Sequence, residues 1–222
     1  MGNVELDEQK TQTVTLRVKG ISGLVQHKWD EKSKMMMRDK HAGIKTKNRA
    51  KRDPENEFRQ SAYVGKESGK FGFPADGVKA SIINAAHKDI GVEKTLVRKS
   101  LFIVGEDYDT HEKGRELCLM ETDDPIMRED MVRVGQGSTD LRYRPEFRNW
   151  SMDIKIEIDS DVMQLGTLIN LVNRAGFGCG LGEMRPEKGG SNGRFQVDKS
   201  FEIITEHINL GETTYEYTKE VA

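Results

Sequence analysis

The sequence predicts an α+β fold in which strands and helices follow the order βαββαβ, interrupted by two long insertions. Three observations predict it. Residues 12–19 and 150–159 alternate apolar and polar side chains, the period of a half-buried strand. Residues 74–86 and 161–175 repeat apolar residues at helical spacing. Stretches at about 20–70 and 105–149 are rich in charge and poor in core residues. With 35% hydrophobic and 32% charged residues over 222 positions, the chain suits a single domain, 1–222, much of it exposed insertion.

In the first strand, Val14, Leu16 and Val18 alternate with Thr15, Arg17 and Lys19, and Gly20 ends it. The first insertion reads as helical near 30–40 and flexible around 42–54. Pro74 suits a helix start, and Val78, Ile82, Ala85 and Ala86 mark that helix's apolar face. Residues 95–105 read as a strand or two short ones, 105–114 as an acidic turn, and 116–122 as the hairpin partner. Met152, Ile154, Ile156 and Ile158 form the clearest strand. Asp159, Ser160 or Asp161 can cap the next helix, which aligns Val162, Leu165, Ile169 and Val172 and stops at Gly176. A glycine-rich stretch then runs into a last strand at 194–197, and 199–222 is a C-terminal extension. This order is that of the ferredoxin-like, RRM-like split unit, with two helices on one face of a sheet. The other face is left for insertions or a ligand.

The net charge of −2 makes the chain no polycation, so anion binding must come from local asymmetry. Cys118 and Cys179 belong to no CxxC or Cys/His cluster and read as free thiols of a reducing compartment, the cytoplasm. The first twelve residues lack an apolar signal region, and no apolar run approaches the roughly 20 residues of a membrane span, so no membrane partner is expected.

Lys45, Lys47, Arg49, Lys51 and Arg52 crowd together in a stretch with no acid, the form of a phosphate-binding arm. In the second insertion, Arg128, Arg133, Arg142, Arg144 and Arg148 interleave with Tyr143, Phe147 and Trp150. Guanidinium contacts combined with aromatic stacking are how single strands are held. Trp150 also suits a core, and Trp29 suits either a stacking surface or, by preference, an anchor for the first insertion. Met35, Met36 and Met37 suit either a partner surface or a buried helix turn. Gly178, Gly180 and Gly182, followed by Gly189, Gly190 and Gly193, have two readings. One is a loop whose backbone N–H groups contact an anion, which Arg185, Lys188 and Arg194 favour. The other is a bulged strand and turn that need small residues. None of the five histidines has metal-ligand spacing to another, and no nucleophile stands with a base, so no metal, cofactor or catalytic residue is assigned. His41 and His111 remain the candidates for a general base.

FPADGVKASIINAAH (73–87) resembles the start of the first helix in RAMP-superfamily proteins, which include backbone subunits of CRISPR effector complexes. LINLVNRAGFGCGLGEMRPEKGGSNGRF (168–195) is similar to their second helix and the glycine-rich loop that follows it. The likeness covers 70–198 and the first strand, and the chain also resembles proteins encoded in tailed-phage genomes. The glycine loop departs from the family pattern at Glu183, Pro186 and Glu187. The resemblance implies a ferredoxin-like core. It adds Arg17 and Lys19, Lys79 and Ser81, and Lys188 and Arg194 as nucleic-acid contacts. It also implies self-association of several copies along a strand. The expected function is therefore a non-enzymatic protein that binds single-stranded RNA or DNA. The alternatives are an RNA-processing endoribonuclease on the same fold, and a phage accessory protein or inhibitor acting by protein–protein binding.

Overall fold

A computed structural model of the chain describes residues 9–29, 31–44, 52–87, 90–133 and 137–208. In chain order it runs β1 (Thr11–Gly20), β2 (Leu24–Val25), α1 (Glu31–His41), α2 (Pro54–Gln60), β3 (Gly72–Pro74), α3 (Ala75–Ala85) and α4 (Lys94–Ser100). Then come β4 (Leu101–Val104), β5 (Asp107–Tyr108), β6 (Glu116–Thr122), β7 (Ile126–Arg133), β8 (Thr139–Phe147) and β9 (Trp150–Asp159). The chain continues through α5 (Leu165–Arg174), β10 (Phe195–Val197) and β11 (Ile204–Ile208). The fold is mixed α and β with antiparallel sheets.

β1 and β9 form the centre of an eight-stranded sheet, with Val14 opposite Ile156, Leu16 opposite Ile154 and Val18 opposite Met152. Their alternation buries one face completely. Val78 and Ile82 of α3 and Leu168, Leu171 and Val172 of α5 join them in the core. The strand order is β10-β1-β9-β6-β3.

Both neighbours of the central pair are split. β10 pairs the C-terminal end of β1 and β11 its N-terminal end. On the other side, β4 pairs 155–158 of β9 and β6 pairs 150–152. This corrects the expected hairpin between 95–105 and 116–122. Both segments run antiparallel to the same strand, so they lie end to end, and β6 finds its side partners in β3 and β5. β9 is ten residues long and offers more edge than the four residues of β4 can cover. The expected strand over 95–100 is also corrected, because these residues form α4. Burial of Val97 and Ser100, three apart, sets a helical face that outweighs their local strand character.

α5 starts four residues later than its sequence signals, at Leu165, with no side-chain cap. Asp159 Oδ1 instead accepts from the Asp161 N–H in a preceding turn. Gly176 does not stop the helix. The chain widens into a π-helical turn, Ala175–Cys179, and the left-handed residue is Gly180, with φ of 70°. Gly176 is there because a Cβ would lie 1.9 Å from the Phe195 carbonyl oxygen.

The described parts of both insertions form helices and strands, and 45–51, at the centre of the stretch expected to be flexible, lie outside the described residues. β7 and β8 form a hairpin that joins β2 in a three-stranded sheet, order β2-β8-β7. α2 begins at Pro54 under an Asp53 cap that accepts from the Asn56 N–H. It packs beside β8, where the Ser61 hydroxyl reaches the Tyr143 carbonyl. The first and second insertions therefore meet each other across β8. Among the described residues no helix is long and apolar enough to cross a membrane.

Candidate nucleic-acid interface

The sheet face away from the helices presents Arg17 and Lys19 beside Asp153, Lys155 and Glu157. Arg17 Nε lies 2.7 Å from Asp153, and its Nη1 lies 3.1 Å from Glu121. The Phe201 ring covers it at 3.7 Å. The Asp153 hydrogen bond, then the charges of Asp153 and Glu121, raise its pKa further. Lys19 is exposed, but Asp198 stands close by. Hydrogen bonds from Ser200, aided by Lys19 and Arg17, hold the Asp198 carboxyl below its ordinary range. Among the described residues, the cations of this face are matched by as many carboxylates.

The glycine-rich loop is consumed by packing. A Cβ at Gly182 would lie 2.3 Å from the Val25 carbonyl oxygen, and one at Gly193 would lie 1.8 Å from that of Leu181. Its N–H groups are also spent within the protein. Leu181 donates to Gly193, Glu183 to Val25, Asn192 to Met184 and Gly193 to Gly23. The geometry is that of the tight turn needing small residues, not of an N–H cradle. The Ser81 hydroxyl, expected at a ligand, is buried and donates to the Gly180 carbonyl at 3.0 Å. It thus ties α3 to this loop. Lys79 lies 3.8 Å over the Phe102 ring, its pKa lowered by burial and by Arg98. Lys188 is exposed, and Arg194 lies 5.3 Å from the ring of the exposed Phe177.

Two of the remaining candidates, Arg52 and Arg142, come together where the two insertions meet. A cleft of about 400 Å³ lies between α1, α2 and β8, lined among others by His27, Trp29, Arg52, Arg142 and Tyr143. Arg52 organises it. Its Nε is 2.8 Å from Glu57, its Nη1 is 2.7 Å from Asp140, and Nη2 donates to the Leu141 carbonyl. Its guanidinium lies 5.6 Å from the Tyr143 ring. Arg142 Nη1 is 3.0 Å from His27 Nδ1. A guanidinium only donates, so that ring nitrogen accepts. Beside the cleft, Lys28 Nζ and Asp109 form a buried ion pair at 3.0 Å. Burial opposes ionisation of Asp109, but N–H groups of Glu112 and His111 together with Lys28 still hold its carboxyl low.

Arg144 departs from its expected role. It is 2% exposed, pairs with Asp130 at 2.8 Å and Glu183 at 3.5 Å, and its Nε has no partner among the described residues. It joins the hairpin to the glycine loop and does not face solvent. Arg133 is exposed near the hairpin tip. Lys45, Lys47, Arg49 and Lys51 lie outside the described residues. Asp140, Glu57 and His27 were not singled out from the sequence. Asp140 falls at the start of the arginine-aromatic run, the one local signal that could have drawn attention to it.

His41 and His111 are both exposed, and the His111 N–H is bound by the Asp109 carboxylate. No group of three or more His, Cys, Asp or Glu among the described residues could hold a metal. Burial pushes the Cys118 thiol up to about 12 and raises that of Cys179, which makes both poor nucleophiles. No family model matches the chain, and no curated protein does.

Proposed function

We propose that this is a non-enzymatic single-stranded nucleic-acid-binding protein, acting on RNA or DNA, several copies of which coat one strand. The observation that carries this reading is the cleft between the insertions. There, half-exposed Trp29 and partly buried Tyr143 stand with Arg52 and Arg142, the pairing of aromatic and guanidinium surfaces that holds unpaired bases. The antiparallel order β10-β1-β9-β6, with α3 and α5 on one face, supports a ferredoxin-like core of the RAMP type. Two buried, unpaired thiols fit a reducing compartment, the cytoplasm.

A second reading, a protein-binding accessory or inhibitor, is favoured by one specific observation. β7 is the edge of its sheet and exposes Ile126, Met127 and Met131.

Mobility shifts with single-stranded and duplex ligands across a salt series separate the two. The proposal expects a single-strand preference and affinity that falls as salt rises. Absence of a shift at low salt with either ligand overturns it in favour of the protein-binding reading.

A further inference from the structure

We infer that the cleft between the insertions takes one base of the bound strand, not its phosphates, and that the favoured base is guanine. The inference rests on the single-strand reading above and names what that site recognises.

Charge pairing among the described residues of the cleft argues against a phosphate as its occupant. Arg52 faces two carboxylates, Glu57 and Asp140. Lys28 is neutralised by Asp109 in a buried pair. Arg142 is turned onto the accepting nitrogen of His27. Among the described residues, the carboxylates of Glu57 and Asp140 balance the guanidiniums of Arg52 and Arg142, so a phosphate at this spot would meet two nearby anions and no surplus positive charge from them.

The surface that remains is apolar and aromatic. Trp29, Met36 and Met37 are each about half exposed, 50%, 45% and 45%, on one side of the same cleft. Large apolar groups gathered at a concave site are what a flat heterocycle stacks on. A volume of about 400 Å³ lies at the small end of ligand pockets, suited to a base and not to a folded segment.

The polar groups choose among bases. Asp140 Oδ1 accepts from Arg52, while Oδ2 has no partner among the described residues and the side chain is 35% exposed. The cleft therefore offers a fixed acceptor, oriented by Arg52, and it asks for a donor. Guanine alone presents two donors side by side on its Watson–Crick edge, the N1–H and the N2 amino group, which a carboxylate accepts together. Thymine and uracil offer a single N–H flanked by two carbonyl oxygens, which the carboxylate repels. Adenine and cytosine each offer one amino group beside an acceptor nitrogen. The discrimination thus comes from repulsion of the wrong edge as much as from attraction of the right one.

The test uses the full chain and three strands: homothymidine, the same strand with one central guanosine, and the same strand with an abasic sugar at that position. Trp29 emission is the readout, since Trp150 is buried. The guanosine strand is expected to bind about ten-fold or more tightly than homothymidine, the range of one good base-edge contact. It also quenches the exposed tryptophan, and Asp140→Asn abolishes the preference. Equal affinity for the three strands overturns the guanine inference while leaving the single-strand reading standing. Failure of all three to bind at low salt overturns both.

Discussion

Trp150 opens β9 and is 3% exposed, edge-on to Phe195 at 6.3 Å, with its Nε1 donating to the Ser22 carbonyl at 2.9 Å. Trp29 follows β2 in the first insertion and leaves half of its surface open. The two regions around them differ in the same way. Around Trp150, the sheet and its two helices bury their apolar faces and pair their charges, as Arg17 does with Asp153 and Glu121. Around Trp29, charges are also paired, yet Met35, Met36 and Met37 remain exposed. Leaving such a side chain out of the core forgoes about 1.5–3 kcal/mol of burial. The tryptophan of the body is packed and hydrogen-bonded, whereas that of the cleft is left open beside exposed methionines.

The largest effect tests what joins the two regions. Removing one partner of the buried Lys28–Asp109 pair leaves an uncompensated charge, so Asp109→Ala is expected to cost about 3–5 kcal/mol in urea unfolding. A loss under about 1 kcal/mol would mean that the pair is solvated and the join is loose. Next, Trp150→Ala is expected to cost about 3–5 kcal/mol, as for other buried aromatics. Trp29→Ala should stay within about 0.5 kcal/mol in stability while weakening strand binding by about 1–3 kcal/mol. Equal destabilisation by both would erase the contrast between the regions. A smaller effect is expected at Ser81→Ala, about 1–3 kcal/mol, because the Gly180 carbonyl loses its buried donor. Restoration by Ser81→Thr would confirm that the hydroxyl is what matters.

The smallest effect is set by pH. N–H groups of Ser68, Tyr108 and Glu67, with the Ser68 hydroxyl, hold the Asp107 carboxyl at about 2, below the ordinary value of about 3.9. Its folded pKa is depressed, so its contribution is full above about pH 4 and is lost as pH falls towards about 2. Asp107→Asn should flatten that part of a stability–pH profile. An unchanged profile would show that other carboxylates carry it.

The parts legible in the sequence are those set by periodicity. Ile154, Ile156 and Ile158 against Asp153, Lys155 and Glu157 gave β9, and Val78 and Ile82 gave α3, because one buried face imposes its period on the residues that form it. The end-to-end placement of β4 and β6 was not legible, since two segments competing for one strand leave no local mark on either. Gly176 and Gly193 were visible as glycines, but their reason was not. Gly176 is required by the carbonyl oxygen of Phe195 and Gly193 by that of Leu181, and close approach of this kind looks in sequence like a ligand loop. The arginines of the second insertion were legible as a group. Arg142 and Arg144 share one face of β8, so their period could not separate them; what does is position along the strand, Arg144 being buried against Asp130 and Glu183 and Arg142 lining the cleft.

Photo-cross-linking of a single strand carrying 5-iodouracil next to a guanine, followed by peptide mapping, tests most directly whether the strand lies between the insertions. The account predicts adducts on Trp29 and Tyr143. Adducts confined to 11–20 and 151–157, on the open face of the large sheet, would contradict it.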